Sequence, residues 1–210
     1  MSRTPSSRRW LDRHFRDEYV SRAQREGYRS RAAFKLLEIQ ERDRFIRPRM
    51  RVVDLGAAPG GWSQVAQRLV GNGGQVVALD CLPMDPLPGV CVIQADFHEE
   101  SSVAALHATL GGNPVDVVLS DMAPNLTGIS DVDQPRAMLL AELALDFASF
   151  VLKPQGSLLL KAFQGQGIET LQAELKRRFV QVRHRKPRAS RPESREIYLL
   201  ASGFRQQAIF

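Results

Sequence analysis

Val52-Val53-Asp54-Leu55-Gly56-Ala57-Ala58-Pro59-Gly60-Gly61-Trp62-Ser63-Gln64-Val65 is the stretch that decides the fold. An apolar β-branched pair runs into an acid, a loop of Gly, Ala and Pro follows, and the apolar spacing then turns helical. That order predicts a buried strand, a tight turn and a helix start, the corner from which α/β folds build a nucleotide cradle. Glycine carries no Cβ, so Gly56, Gly60 and Gly61 are expected to let a ligand lie directly on the main chain. The free N–H groups of the following helix point at the same place. A dinucleotide fingerprint would read G-x-G-x-x-G, and position 58 is alanine, so the pyrophosphate-binding pattern does not fit. A nucleoside without phosphate fits better. S-adenosylmethionine meets that description, with Asp54 and the glycine loop expected at its amino-acid end.

Working outward, Trp62–Leu69 reads as the first crossover helix, stopped by Gly71-Asn72-Gly73-Gly74, and Gln75–Leu79 as a second strand ending at Asp80. An acid there is placed to accept hydrogen bonds from both ribose hydroxyls of an adenosine. Val90–Gln94 forms a third strand that delivers Asp96 and Phe97 to the same sheet edge, an acceptor for the adenine amino group beside an apolar wall. Ser101–Leu110 is the next helix. Val115–Ser120 is a fourth strand with Asp121 at its carboxyl end, where open α/β sheets place their chemistry. A long amphipathic helix over Gln134–Leu152 precedes a fifth strand, Ser157–Leu160, that runs straight into Lys161. A charged lysine ending an apolar strand needs partners or a job, because an uncompensated buried ammonium is costly. Gly167–Arg178 is the last long helix, followed by Phe179–Arg185 and a final strand, Ile197–Ala201, expected as an antiparallel pair. The expected fold class is α/β: a Rossmann-like seven-stranded methyltransferase sheet with helices on both faces.

Upstream, Ala33, Phe34, Leu36, Leu37 and Ile39 recur at helical spacing between Ser30 and Arg44, with Ser30 as the expected N-cap and Lys35 at the edge of the apolar stripe. Residues 1–29 read as a basic arm and 30–210 as the methyltransferase domain. In the arm Trp10, Phe15, Tyr19 and Tyr28 alternate with arginines such as Arg8, Arg9, Arg13, Arg16, Arg22 and Arg25. Arginine forks bind phosphates and aromatic faces stack on unpaired bases, which suits RNA; the same aromatics would equally serve to pack the arm on the domain.

Charge placement points the same way. Residues 1–35 hold ten Lys and Arg against four acids, 36–175 nine against seventeen, and 176–210 ten against two, for a net charge of +6. Basic ends around an acidic middle suggest two termini converging on one polyanion. The length of 210 residues, 43% hydrophobic, suits one core and leaves no room for a second full domain. Cys81 and Cys91 lie outside any CxxC spacing and the four histidines form no ligand pair, so neither zinc nor a disulfide is expected. No apolar run approaches a membrane span, and a cytoplasmic protein is expected.

The combination of Ser30-Arg31-Ala32-Ala33-Phe34-Lys35-Leu36, the glycine loop, Ser120-Asp121-Met122-Ala123-Pro124, Leu160-Lys161 and Pro192-Glu193-Ser194-Arg195-Glu196-Ile197-Tyr198 resembles the FtsJ-type ribosomal RNA ribose 2′-O-methyltransferases. Five ordered motifs span nearly the whole chain. The resemblance implies a catalytic set Lys35, Asp121, Lys161 and Glu196. It implies cofactor contacts at Gly60, Trp62, Asp80, Asp96 and Asp121, with no metal. It also implies the substrate, a uridine in the A-loop of large-subunit ribosomal RNA, presented on the assembled or nearly assembled subunit to a monomeric enzyme. Lys161 is the expected base. A free lysine titrates near 10.4, so that role requires burial, the sulfonium charge and Lys35 to disfavour a second cation against the opposing pull of Asp121 and Glu196. Rival readings are a methyltransferase of the same sheet acting on transfer RNA, a messenger cap or a base nitrogen; a nicotinamide oxidoreductase; and a non-catalytic RNA-binding module. The last has no need of Lys161 and Asp121 at strand ends.

Overall fold

A computed structural model describes residues 18–206 except 98, 126 and 192. The arm residues Arg8, Arg9, Trp10, Arg13, Phe15 and Arg16 therefore lie outside the described residues. The elements are α1 (Glu18–Glu26), α2 (Ala32–Asp43), β1 (Arg51–Leu55), α3 (Gly61–Val70), β2 (Gln75–Asp80), β3 (Val90–Gln94), α4 (Glu100–Thr109), β4 (Val115–Ser120), α5 (Ser130–Val151), β5 (Leu152–Phe163), α6 (Ile168–Arg178), β6 (Phe179–Arg185) and β7 (Glu196–Phe204).

Seven strands form one sheet in the order β3-β2-β1-β4-β5-β7-β6. The first five run parallel, and β7 lies antiparallel between β5 and β6. Strand residues alternate between the two faces, and both faces are covered, which is why the central strands read as unbroken apolar runs. Val52, Val76, Val117 and Leu159 pack under α2 and α3 with Leu36, Ile39, Trp62 and Val65. Val53, Val77, Val118 and Leu158 pack against α4, α5 and α6 through Leu106, Ala144, Leu145 and Leu171. Strand order reverses between β1 and β4, and at such a switch point the carboxyl ends of the strands leave a crevice.

Four elements, α2, α5, β5 and β7, differ most from the sequence reading. Helix α2 begins at Ala32 with Arg31 at the cap position in a helical conformation and no side-chain cap. Ser30 does not cap it: its Oγ packs against Gly61, where a Cβ would fall 2.3 Å away, and it has no hydrogen-bond partner. Helix α5 starts four residues early, at Ser130. The Asp133 carboxylate reaches back to accept Thr127 N–H (2.8 Å), Thr127 Oγ1 (2.9 Å) and Gly128 N–H (2.9 Å), anchoring a first turn ahead of Pro135. Strands β5 and β7 are longer than their apolar cores: β4 recruits the start of β5 at Leu152, the β5–β7 pair runs on to Phe163 and Glu196, and β6 extends β7 to Phe204.

The described part of the arm is packed on the domain. Tyr19 and Tyr28 each pack against Phe34, tilted and edge-on respectively, with ring centroids 5.6 and 5.4 Å apart, and Ala23 joins the same small cluster. No described helix is long and apolar enough to cross a membrane, and no metal-binding group of His, Cys, Asp and Glu occurs among the described residues.

Candidate active site

Helix α2 brings Lys35 over the carboxyl end of the sheet, and three anchors hold it there. The Trp62 indole Nε1 donates to Ala32 O at 2.8 Å. One turn past Lys35, the Glu38 carboxylate accepts the main-chain N–H groups of Arg188 (2.6 Å) and Ala189 (3.0 Å). At the end of the helix Asp43 takes both arms of the Arg185 guanidinium at 2.6 Å, the bidentate geometry that makes such pairs directional.

Lys35, Asp121, Lys161 and Glu196 come together as expected. Lys35 Nζ lies 2.7 Å from Glu196 Oε1, and Lys161 Nζ lies 3.0 Å from Asp121 Oδ1 while also donating to the Asp121 carbonyl. The link between these two ion pairs is a residue to which the sequence reading gave no role. The Tyr198 hydroxyl accepts from Lys35 Nζ at 3.0 Å and donates to Asp121 Oδ1 at 2.9 Å. One chain of contacts therefore runs Glu196, Lys35, Tyr198, Asp121, Lys161. The four charged side chains are 12%, 12%, 16% and 8% exposed for Lys35, Glu196, Asp121 and Lys161, so their interactions are weakly screened. The signal for Tyr198 was its place two residues after Glu196 on a strand, which puts both on one face.

The carboxylates are held ionised. Burial alone would raise Asp121, but the charges of Lys161 and Lys35 and the hydrogen bonds from Lys161 and Tyr198 outweigh it and keep the carboxyl below its ordinary value. Glu196 follows the same pattern, with burial opposed chiefly by Lys35. Burial, with Asp121 and Glu196 nearby, pushes the Tyr198 phenol well above its ordinary value, so it stays a neutral donor.

Asp121 is also part of the wall of a cavity of about 590 Å³ at the β1/β4 switch point, lined besides by Gly56, Ala58, Asp80, Asp96, Phe97 and Met122. This is the size of a cofactor pocket. Asp80 is pre-oriented: Oδ2 accepts Ala58 N–H and Oδ1 accepts Leu82 N–H, both at 2.8 Å, and each oxygen keeps a lone pair for a ligand. Phe97 is edge-on to Phe147, giving the cavity a fixed apolar wall. An adenosine with two hydroxyl donors and an apolar ring face fits this donor and acceptor set.

The glycine loop is packed largely by the protein's own side chains. Gly60 and Trp62 do not line the cavity. The space a Cβ would take at Gly60 is filled by Leu87 (2.9 Å), Met84 (3.0 Å) and Arg29 (3.1 Å). Arg29 clasps this loop, donating to Pro59 O, Asp85 O and Pro86 O. The missing Cβ at Gly56 makes way for Met122, whose Cγ would be 2.6 Å away. The glycines thus admit other parts of the protein, and the Trp62 ring is core, 2% exposed and tilted against Tyr198. Asp54 lies beneath the loop, fully buried, with Oδ2 accepting from Ser63 Oγ at 2.6 Å; it does not reach the cavity wall.

The basic carboxyl-terminal segment is partly committed inside the protein. Arg183 and Arg185 pair with Asp43, and Lys186 donates to Ser194 O and Glu196 O. Arg188 and Arg195 are exposed.

Residues 28–204 match the family model described as FtsJ-like methyltransferase. A protein of Alkalilimnicola ehrlichii named ribosomal RNA large subunit methyltransferase E is 65% identical over 202 residues, 96% of this chain and 97% of its own length. One of the same name from Pseudomonas aeruginosa is 56% identical over 205 residues, 98% of this chain and 99% of its own. A crystal structure of a ribosomal RNA methyltransferase from Plasmodium falciparum superposes with a TM-score of 0.74 at 28% identity, covering 84% of this chain and 98% of that one.

Proposed function

The chain belongs to the FtsJ-like methyltransferase family, and on that premise we propose that it methylates a ribose 2′-hydroxyl of large-subunit ribosomal RNA, a uridine of the A-loop, using S-adenosylmethionine. The observation that carries this reading is the double duty of Asp121, which walls the cofactor-sized cavity and anchors Lys161.

When bound, the cofactor would supply an electron-poor methyl group on a sulfonium, with a neutral thioether as the leaving group. Asp80 would hold the ribose of its adenosine, Asp96 and Phe97 the adenine, and Asp121 the methionine end. Lys161 takes the 2′-hydroxyl proton on Nζ as the hydroxyl attacks in line. Asp121 fixes the direction of that amine through Oδ1. Glu196 and Tyr198 fix Lys35, whose ammonium steers the hydroxyl or a flanking phosphate. The aromatic and cationic arm over residues 1–29 and the exposed arginines near position 190 supply grip on the RNA backbone.

The test is to incubate large ribosomal subunits lacking the modification with methyl-labelled S-adenosylmethionine and digest the RNA to nucleosides. The expected label is in 2′-O-methyluridine; label on a base would overturn the reading.

A further inference from the structure

Beside the catalytic cluster lies a second cavity, of about 250 Å³, whose walls include Ser130, Gln134, Phe163, Ser194 and Arg195. It adjoins the reacting centre along β5. Phe163 follows Lys161 by two residues, about 7 Å along the strand, and is the register partner of Glu196. That is the reach from a ribose hydroxyl to its own base.

Gln134 is the unusual member of the wall. Its side chain is buried, at 6% exposure. Its Nε2 donates to Phe163 O at 3.2 Å and Gln166 O at 3.0 Å. Turning the amide over would set its oxygen against two carbonyls, so its orientation is dictated by its surroundings. A Cβ at Gly165 would fall 2.8 Å from the amide carbon, which shows how closely the neighbouring turn confines the group. The remaining atom, Oε1, is a buried acceptor with no hydrogen-bond partner. Such an orphan costs free energy until a donor arrives. On the same cavity Arg195 donates from Nη2 to Ser130 Oγ at 3.0 Å, and its guanidinium carries further N–H groups.

We propose that this cavity seats the base of the nucleotide being methylated and selects a keto base with an imino N–H, uracil or guanine. The imino N–H donates to Gln134 Oε1 and the adjacent carbonyl accepts from Arg195. Adenine and cytosine present a bare ring nitrogen at the imino position, an acceptor against an acceptor, and leave the Gln134 oxygen unpaired. The inference rests on the chain being a ribose methyltransferase and adds to that reading the means of choosing the nucleotide.

The experiment offers wild type and Gln134→Leu large ribosomal subunits carrying U, G, C or A at the target position, and reads kcat and KM separately. Wild type should favour U and G over C and A by about tenfold or more in kcat/KM, the scale of one unpaired buried polar group. Gln134→Leu should lose that preference, mainly through a raised KM on U, with S-adenosylmethionine affinity unchanged. A preference that survives in the variant, or is absent from wild type, overturns the proposal and leaves Gln134 a brace for the 163–166 turn. A second arm measures equilibrium binding of oligouridine and oligocytidine to the wild-type protein, with no catalysis and no variant required. Tighter binding of oligouridine supports the cavity even if no subunit is methylated, a result that would sink the methyltransferase reading alone; equal binding counts against the cavity.

Discussion

Lys161 and Tyr198 face each other as register partners across the antiparallel β5–β7 pair, and both reach the same atom, Asp121 Oδ1, at 3.0 and 2.9 Å. The pairing of two strands therefore sets the position of the proposed base, and a cross-strand tyrosine passes the orientation on to Lys35.

Removing the Tyr198 hydroxyl breaks the link between the two ion pairs without touching a charge. Tyr198→Phe is expected to lower kcat by about tenfold, the scale of one or two buried hydrogen bonds, with cofactor affinity unchanged. Single-turnover methylation and calorimetric binding measure the two quantities. An unaltered kcat would show that the Lys161 geometry does not need Tyr198.

Asp80 holds the glycine loop through Ala58 N–H and faces the cavity with its remaining lone pairs. Asp80→Ala should weaken S-adenosylmethionine binding by at least about tenfold, because both the ribose contacts and the loop's shape are lost. The measurement is titration calorimetry. Undiminished affinity would place the cofactor elsewhere.

Burial, with the charges of Asp121 and Asp80 adding to it, pushes the Asp54 carboxyl up to about 7 despite the Ser63 hydrogen bond. An unfolded aspartate titrates near 3.9, so between those values the native state keeps a proton that the unfolded chain has released. Stability falls as pH rises through that window and levels off above it. Denaturant unfolding of wild type and Asp54→Asn should show their difference moving against wild type from about pH 4 to about pH 7. A difference that stays constant over the range would contradict the buried proton.

Arg25 on α1 and Arg188 after β6 are exposed, on the two basic ends of the chain. If both contact phosphates, the double variant Arg25→Gln/Arg188→Gln should reduce the slope of log affinity against log salt by about one for each cation removed. A filter-binding series in potassium chloride reads the slope; no change would remove these two arginines from the RNA surface.

Strand β4 was legible to the residue because a strand covered on both faces is written as a nearly unbroken apolar run, and the half-exposed edge strand β3 was legible from its β-branched residues Val90, Val92 and Ile93. The ends of β5 and β7 were not, since Lys153 and Gln155 read as loop residues and only the neighbouring strand recruits that stretch. The placement of Asp80, Asp96 and Asp121 around one cavity followed from strand order. Gly60 is ambiguous for a physical reason: a bare glycine announces that something approaches closely, but the sequence does not distinguish a ligand from Leu87 and Met84. The meeting of Lys35 with Glu196, far apart in the chain, came from family resemblance; what fastens it, the Asp43–Arg185 and Glu38 anchors, left no local pattern.

The most direct test compares wild type with Lys161→Ala on unmodified large ribosomal subunits, measuring methyl transfer and S-adenosylmethionine affinity side by side. The variant should lose at least about a hundredfold in rate, the contribution of a positioned base, while binding the cofactor as wild type does. Full methyl transfer by Lys161→Ala would contradict the account at its centre.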